Sequence, residues 1–146
     1  MKILRNRSIT FFRDDYFFLS NFYEVPITYN GITYRSSEAA FQSMKTNDES
    51  LRKDFANLTP NESKKLGRKV KLREDWEDVK VDIMYEIVKQ KFIQNPDLKD
   101  KLIATGNVYL EEGNTWGDKV WGTVNGEGFN HLGFILMKIR EELKES

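Results

Sequence analysis

A carboxylate, an amide and an ammonium group follow one another along the segment SSEAAFQSMKT, at Glu38, Gln42 and Lys45. At about 100° per residue, Gln42 lies about 40° and Lys45 about 20° around a helix axis from Glu38, so the three share one stripe. Such a set can bind and cleave a polar substrate if the stripe faces a pocket. The alternative is the solvent-facing stripe of an amphipathic helix, with Glu38 in a first turn where the helix dipole favours a negative charge.

A second group of candidate residues lies in a loop rich in Gly and Asn, NTWGDKVWGTVNGEGFNHLG, at residues 114–133. Here Trp116, Gly117 and Asp118 place a carboxylate beside a large ring and a backbone that a ligand can approach closely. The same residues equally suit a turn in which Asp118 caps the local backbone and Trp116 fills the edge of the core. Asn130 is expected to cap the last helix.

Arginines precede Trp76 in the segment GRKVKLREDW, at Arg68 and Arg73. A pair of arginines would suit a phosphate group, although a basic run of this kind is also typical of a solvated face. His131 is the single histidine of the chain and is expected to be structural.

The elements that must position these side chains follow from local patterns. A strand is expected at Ser8–Phe12 and an irregular aromatic segment after it. VPITYNGITYRS predicts a hairpin that turns at Asn30-Gly31 and leads directly into the helix of Glu38. Further helices are expected at residues 48–58, 60–70, 73–95, 96–105 and 129–146, and residues 107–113 are expected to be extended. The sequence therefore predicts an α+β fold, a mostly helical single domain over residues 1–146 with a small antiparallel strand element.

Composition limits the possible functions. Twenty-three basic and twenty-three acidic residues cancel, so net charge does not indicate a nucleic-acid or membrane partner. Cys is absent and His occurs once, which excludes thiolate sites and favours chemistry without a metal or other cofactor. MKILRNRSITFF lacks the pattern of a signal peptide, and no apolar run approaches about 18 residues. A soluble cytoplasmic protein is expected, with no particular oligomeric state indicated.

Five blocks, in order along the chain, carry a family resemblance: FLSNF, SEAAFQSMK, GR with LREDW, TWGD, and GFNHLGFILMKIREEL. Together they resemble the NADAR or YbiA-like family, whose members act on N-glycosides related to NAD and ADP-ribose. The resemblance implies a compact, largely helical fold and an N-glycosidase. Its substrate would be an early riboflavin-pathway intermediate or ADP-ribosylated guanine, so nucleic acid would enter only as a modified substrate. Trp121 and His131 depart from the common pattern, which leaves substrate choice open.

The resemblance implies three catalytic residues. Glu38 would stabilise the sugar cation or activate water. Lys45 would bind phosphate or attack the sugar carbon. Asp118 would orient the ribose or assist the leaving group. The implied substrate-binding residues are Asn21, Phe22, Gln42, Arg68, Trp76, Trp116, Gly117 and Asn130. Two other classes remain open: a module that binds ADP-ribose or an NAD-related nucleotide without cleaving it, and a structural protein whose polar stripe is exposed and mutable.

Overall fold

The computed structural model describes residues 8–145, and the chain divides into two compact units. The central unit is Asn21–Gln94, and the terminal unit contains both ends of the chain, described at residues 8–20 and 95–145. The strands are β1 (Ser8–Ile9), β2 (Glu24–Tyr29), β3 (Ile32–Ser36) and β4 (Tyr109–Leu110). The α-helices are α1 (Ser37–Ser43), α2 (Glu49–Lys53), α3 (Pro60–Gly67), α4 (Trp76–Gln94), α5 (Pro96–Ala104) and α6 (His131–Lys144), and Asp14–Leu19 forms a 3-10 helix. The predicted α+β class is confirmed.

The central unit is organised by the hairpin β2–β3 and the helix that continues it. Asn30 and Gly31 have φ values of 51° and 82°, as the two central residues of a type I′ turn require. The hairpin places Tyr29 opposite Ile32 and Ile27 opposite Tyr34, with an irregularity towards Glu24. Because β3 ends at Ser36 and α1 begins at Ser37, the strand delivers the chain directly to Glu38.

Helices α3 and α4 pack against α1 within the central unit. Thr59 and Glu62 form a capping box at the start of α3, each side chain accepting a hydrogen bond from the other residue's backbone N–H, and Pro60 occupies the first turn. Helix α4 also packs against β2, where the Gln94 side chain bonds to both the N–H and the C=O of Thr28. Within the central unit, α1 therefore packs against two helices, α3 and α4.

In the terminal unit, β1 and β4 pair in parallel and α5 packs against α6. Arg140 of α6 donates to Thr105 Oγ1 at 3.0 Å and to the carbonyl of Val108 at 2.8 Å, just after the end of α5. The Arg140 guanidinium therefore ties α6 to the segment that follows α5. Residues 111–130 form a loop with two isolated bridges, as the Gly and Asn content predicts.

Some element predictions need correction. The strand expected at Ser8–Phe12 is limited to Ser8–Ile9, and the aromatic segment after it contains a 3-10 helix. The parallel pair β1–β4 was not predicted, because its partners lie about a hundred residues apart and neither is long enough to show a pattern. Most of the N-terminal segment considered for a signal peptide lies outside the described residues. Within them, none of the helices has the length and apolar character needed to cross a membrane.

Candidate active site

Helix α1 is buried along its whole length, including Glu38 and Gln42, but it ends at Ser43, so the prediction that Lys45 shares the stripe on the same helix is wrong. The Ser36 hydroxyl accepts from the backbone N–H of Ala39, and the backbone N–H of Glu38 donates to the carbonyl of Asn21 at 3.1 Å. Glu38 is 9% exposed and Gln42 is 6% exposed. The solvent-facing alternative for these two residues is therefore wrong, and so is the exposed stripe expected of a purely structural protein.

The Glu38 carboxylate is held by its neighbour on the stripe. Gln42 Nε2 donates to Glu38 Oε2 at 2.7 Å, one helical turn away. Hydrogen bonds to a charged acceptor are the stronger kind, so this bond fixes the position of the Glu38 side chain. The arrangement presents a buried, oriented carboxylate, as an acid–base or cation-stabilising group requires.

Lys45 follows the end of α1 and is half-buried. Burial lowers the pKa of Lys45 below its usual value, because it disfavours the charged ammonium group. The negative charge of Glu38 opposes this effect, whereas the positive charges of Arg68, Lys64 and Lys80 add to it. The ammonium group of Lys45 thus shares its surroundings with one carboxylate and three other cations.

The three other cations come from the helices that hold α1. Lys64 lies on α3, Arg68 is the C-cap residue of that helix and is exposed, and Lys80 lies on α4. Lys64 Nζ lies 5.5 Å from the centroid of the Phe22 ring, and Lys80 pairs with Glu77 at 2.8 Å. A set of cations with this excess of positive charge would suit a phosphate group.

Arg73, the second arginine considered for phosphate, already has partners within the central unit. Its Nε and NH2 groups bind the two oxygens of Asp75 at 2.7 and 3.1 Å, and its NH1 donates to the carbonyl of Met44 at 3.3 Å. Its backbone N–H donates to the carbonyl of Lys45 at 2.8 Å. Arg73 therefore fixes the chain just after α1, and phosphate binding by Arg73 beside Arg68 stays a prediction. Asp75 is only two residues away, but the bonds to the carbonyls of Met44 and Lys45 could not be predicted, because backbone carbonyls carry no signal of residue type.

Three other predicted binding residues lie in the central unit. Asn21 is buried, with Oδ1 accepting from Ser37 Oγ at 2.8 Å and Nδ2 directed at Met84 Sδ, so its amide ties the preceding loop to α1. Phe22 is half-buried. Trp76 is 5% exposed and lies against Phe41 at 5.0 Å between ring centroids, which indicates packing beneath α1. Stacking of Phe22 or Trp76 on a substrate base stays a prediction.

The terminal unit contains the other predicted residues. Asp118 Oδ1 accepts from the backbone N–H groups of Val120 and Trp121 at 3.0 and 2.9 Å, which is the turn alternative. Trp116 is 67% exposed, so the expectation that it fills the core edge is wrong, and Gly117 has a φ of 88° that requires a glycine. The catalytic role of Asp118 and the binding roles of Trp116 and Gly117 stay predictions.

Asn130 precedes α6 but its side chain does not cap that helix. Its Oδ1 accepts from the backbone N–H of Glu112, and its Nδ2 donates to the carbonyl of Leu110 at 3.0 Å. The capping expectation is wrong, since the amide instead ties the loop to β4. Substrate binding by this buried amide stays a prediction.

The two residues that depart from the family pattern lie together in the terminal unit. The His131 ring stacks on Phe129 with centroids 5.3 Å apart and meets the edge of Trp121 at 5.9 Å. His131 therefore has packing contacts on two sides, in line with the structural role expected for it. Among residues 8–145, no three His, Asp or Glu side chains are grouped as a metal site would need.

The comparisons with known proteins support the resemblance across the chain. The NADAR domain matches residues 10–144. N-glycosidase YbiA from Shigella boydii is 37% identical over 147 residues, covering 97% of this chain and 91% of that protein. A riboflavin biosynthesis protein from Vibrio vulnificus is 39% identical over 132 residues, which are 88% of this chain.

Coverage differs between these relatives. The chain spans 36% of the Vibrio protein, about a third of its length, but nearly all of YbiA. The NMR structure of YbiA from E. coli matches with a TM-score of 0.81 and 34% identity, covering 97% of this chain and 91% of that one. By sequence and by fold, this chain belongs to the NADAR family.

Proposed function

We propose that the buried stripe of α1 cleaves the N-glycosidic bond of a phosphorylated riboside, either an early riboflavin-pathway intermediate or an ADP-ribosylated guanine. The enzyme class, a hydrolase of N-glycosyl bonds, is supported by relatives named N-glycosidase at 37% identity over most of the chain. The observation that carries the proposal is the pairing of an oriented, buried Glu38 with a Lys45 whose pKa is lowered among other cations.

Glu38 suits the central step of such a reaction. Breaking the bond between C1 of a ribose and a base nitrogen builds positive charge on the sugar. A buried carboxylate stabilises that charge strongly, because little solvent screens it, and it can also take a proton from an attacking water. The leaving nitrogen departs with the bonding electrons and gains the proton that the attacking water gives up.

Lys45 has two roles open to it in this site. As a cation it would bind the phosphate together with Lys64 and Arg68. As a neutral amine it would attack C1 while the bond to the base nitrogen breaks, and its proton would pass to that nitrogen. The ring of the resulting glycosylamine would open to a Schiff base, which water would hydrolyse to release the sugar. Its lowered pKa favours the second role, since a larger fraction of the amine is neutral at pH 7.

A binding module for ADP-ribose or an NAD-related nucleotide is the second candidate. Its support is the same cation set, which would hold a diphosphate without any cleavage. The two functions differ in the outcome of substituting Glu38. A hydrolase loses turnover, whereas a binding module loses affinity only.

The test is a product assay by mass spectrometry. The wild-type protein, Glu38→Gln and the control Glu74→Gln, which removes an exposed carboxylate of the same unit, are incubated with early riboflavin intermediates, NAD and ADP-ribosylated guanosine. Release of base and sugar phosphate by wild type and Glu74→Gln, reduced about 100- to 10,000-fold in Glu38→Gln, is expected. Binding without turnover of any of these compounds would contradict the hydrolase and favour the binding module.

A further inference from the structure

Among the described residues, only the nitrogen end of the Gln42 side-chain amide has a hydrogen-bond partner. Its Nε2 donates to Glu38 Oε2 at 2.7 Å, whereas its Oε1 is buried without a hydrogen-bond partner among residues 8–145. A buried acceptor in this state costs free energy, so an arrangement that keeps it needs a reason. Rotating the amide would not relieve the cost, because Oε1 would then face the carboxylate oxygen of Glu38.

Gly67, the last residue of α3, explains where that carbonyl lies. A Cβ atom built on Gly67 would lie 2.0 Å from Gln42 Oε1, 3.0 Å from its Cδ and 3.4 Å from its Cβ. Non-bonded atoms do not approach to 2.0 Å, so the amide occupies the space that any side chain at position 67 would need. Gly67 is not among the residues with positive φ, so its backbone would accept an alanine.

We propose that Gly67 is a positioning residue for Glu38 and acts through Gln42. The missing side chain lets the amide lie against α3 with its carbonyl towards Gly67 and its NH2 group towards the carboxylate. This inference rests on the proposed function of Glu38. With alanine at position 67 the amide has to move by about 1 Å, which is the difference between a good hydrogen bond and none.

A double-mutant cycle tests this proposal. Gly67→Ala and Gln42→Ala should each lower kcat about 10- to 100-fold, with KM within about threefold of wild type, because both disturb the orientation of the reacting carboxylate. The double variant should be no slower than Gln42→Ala alone. In that background only the Cβ of residue 42 remains, at 3.4 Å, which is an ordinary contact for the new methyl group.

Ser43→Ala is the matched control on α1. It removes the hydrogen bonds of the Ser43 hydroxyl to Tyr34 and to the carbonyl of Ala40 and leaves Gln42 and Glu38 unchanged, so it should lower stability while leaving kcat within about threefold. A wild-type kcat in Gly67→Ala would overturn the proposal. So would losses that multiply in the double variant, because they would mean that the two residues act independently.

A separate measurement distinguishes failure of this proposal from failure of the proposed function. If wild type cleaves none of the N-glycosides, the hydrolase is contradicted. Urea unfolding of wild type, Gly67→Ala, Gln42→Ala and the double variant still measures the contact between residues 67 and 42. Gly67→Ala should then shift the unfolding midpoint downward in the wild-type background and not in Gln42→Ala. Equal shifts in both backgrounds would overturn the positioning role of Gly67 without any assay of activity.

Discussion

Replacing Lys45 by methionine should abolish turnover and at the same time stabilise the protein at neutral pH. Burial and the charges of Arg68, Lys64 and Lys80 make the ammonium form of Lys45 unfavourable in the folded state, and Glu38 offsets only part of this. Methionine keeps an unbranched apolar chain of similar length but carries no charge. Substitutions that remove an unfavourable feature of this kind typically add about 0.5–2 kcal/mol.

The size and pH dependence of this gain follow from the site. Lys45 is half-buried and partly screened by solvent, so we expect the lower end of that range, about 0.5–1 kcal/mol, or about 2–3 °C in Tm for a chain of this length. The folded-state pKa of Lys45 is below the unfolded value of 10.5, so in that interval the unfolded state binds more protons and wild-type stability rises with pH. The advantage of Lys45→Met should therefore be full below the folded-state pKa and should disappear as pH approaches 10.5.

Urea unfolding of wild type and Lys45→Met from pH 6 to pH 10 measures this difference. Lys65→Met is the matched control, because it removes an exposed positive charge from α3 in the same unit. Borohydride treatment during turnover then separates the two roles of Lys45. A trapped sugar adduct on wild type, with no activity in Lys45→Arg, indicates the nucleophile, whereas activity retained in Lys45→Arg indicates the anchor. An unfolding free energy lower than that of wild type at neutral pH would refute the reasoning about an unfavourable charge.

Three further predictions follow from other contacts. Thr59→Ala should lower the unfolding free energy by about 1 kcal/mol in a urea titration, since it removes half of the capping box of α3. Asp118→Asn should keep kcat/KM within about threefold, because an amide oxygen can still accept from the two loop N–H groups; a loss above about 100-fold would instead support a catalytic carboxylate. Competitive inhibition by ribose 5-phosphate should weaken at least tenfold when Lys64 and Arg68 are both replaced by methionine, and an unchanged inhibition constant would exclude these cations from phosphate binding.

Features decided by a few neighbouring residues could be predicted from the sequence. Asn30-Gly31 predicts its turn because both residues must adopt positive φ, and both do. The helices of the central unit follow from caps and periodicity, and α3 and α4 both begin within three residues of the predicted starts. The shared stripe of Glu38 and Gln42 also follows from helix geometry alone, and the 2.7 Å bond between the two side chains is its direct consequence.

Burial of that stripe could not be predicted, because it depends on helices that arrive later in the chain. A polar stripe on a seven-residue helix is typical of a solvated face until α3 and α4 are known to cover it. The same limit applies to Asn130, whose partners are mainly backbone groups distant in sequence, and to the bond from Arg73 to the carbonyl of Met44. Side-chain type indicates that such residues need partners but not which partners they find.

Three features that oppose stability occur around Glu38 within the central unit. Lys45 has a charge that burial disfavours, Gln42 has a buried oxygen without a partner among the described residues, and Gly67 ends α3 where alanine would favour the helix. Apolar residues at positions 42 and 45 would avoid the first two, since well-packed apolar residues often match or exceed buried polar groups in stability. Departures of this kind concentrate where function requires them. Their convergence on one carboxylate is therefore a physical reason, separate from the family match, to place the chemistry at Glu38.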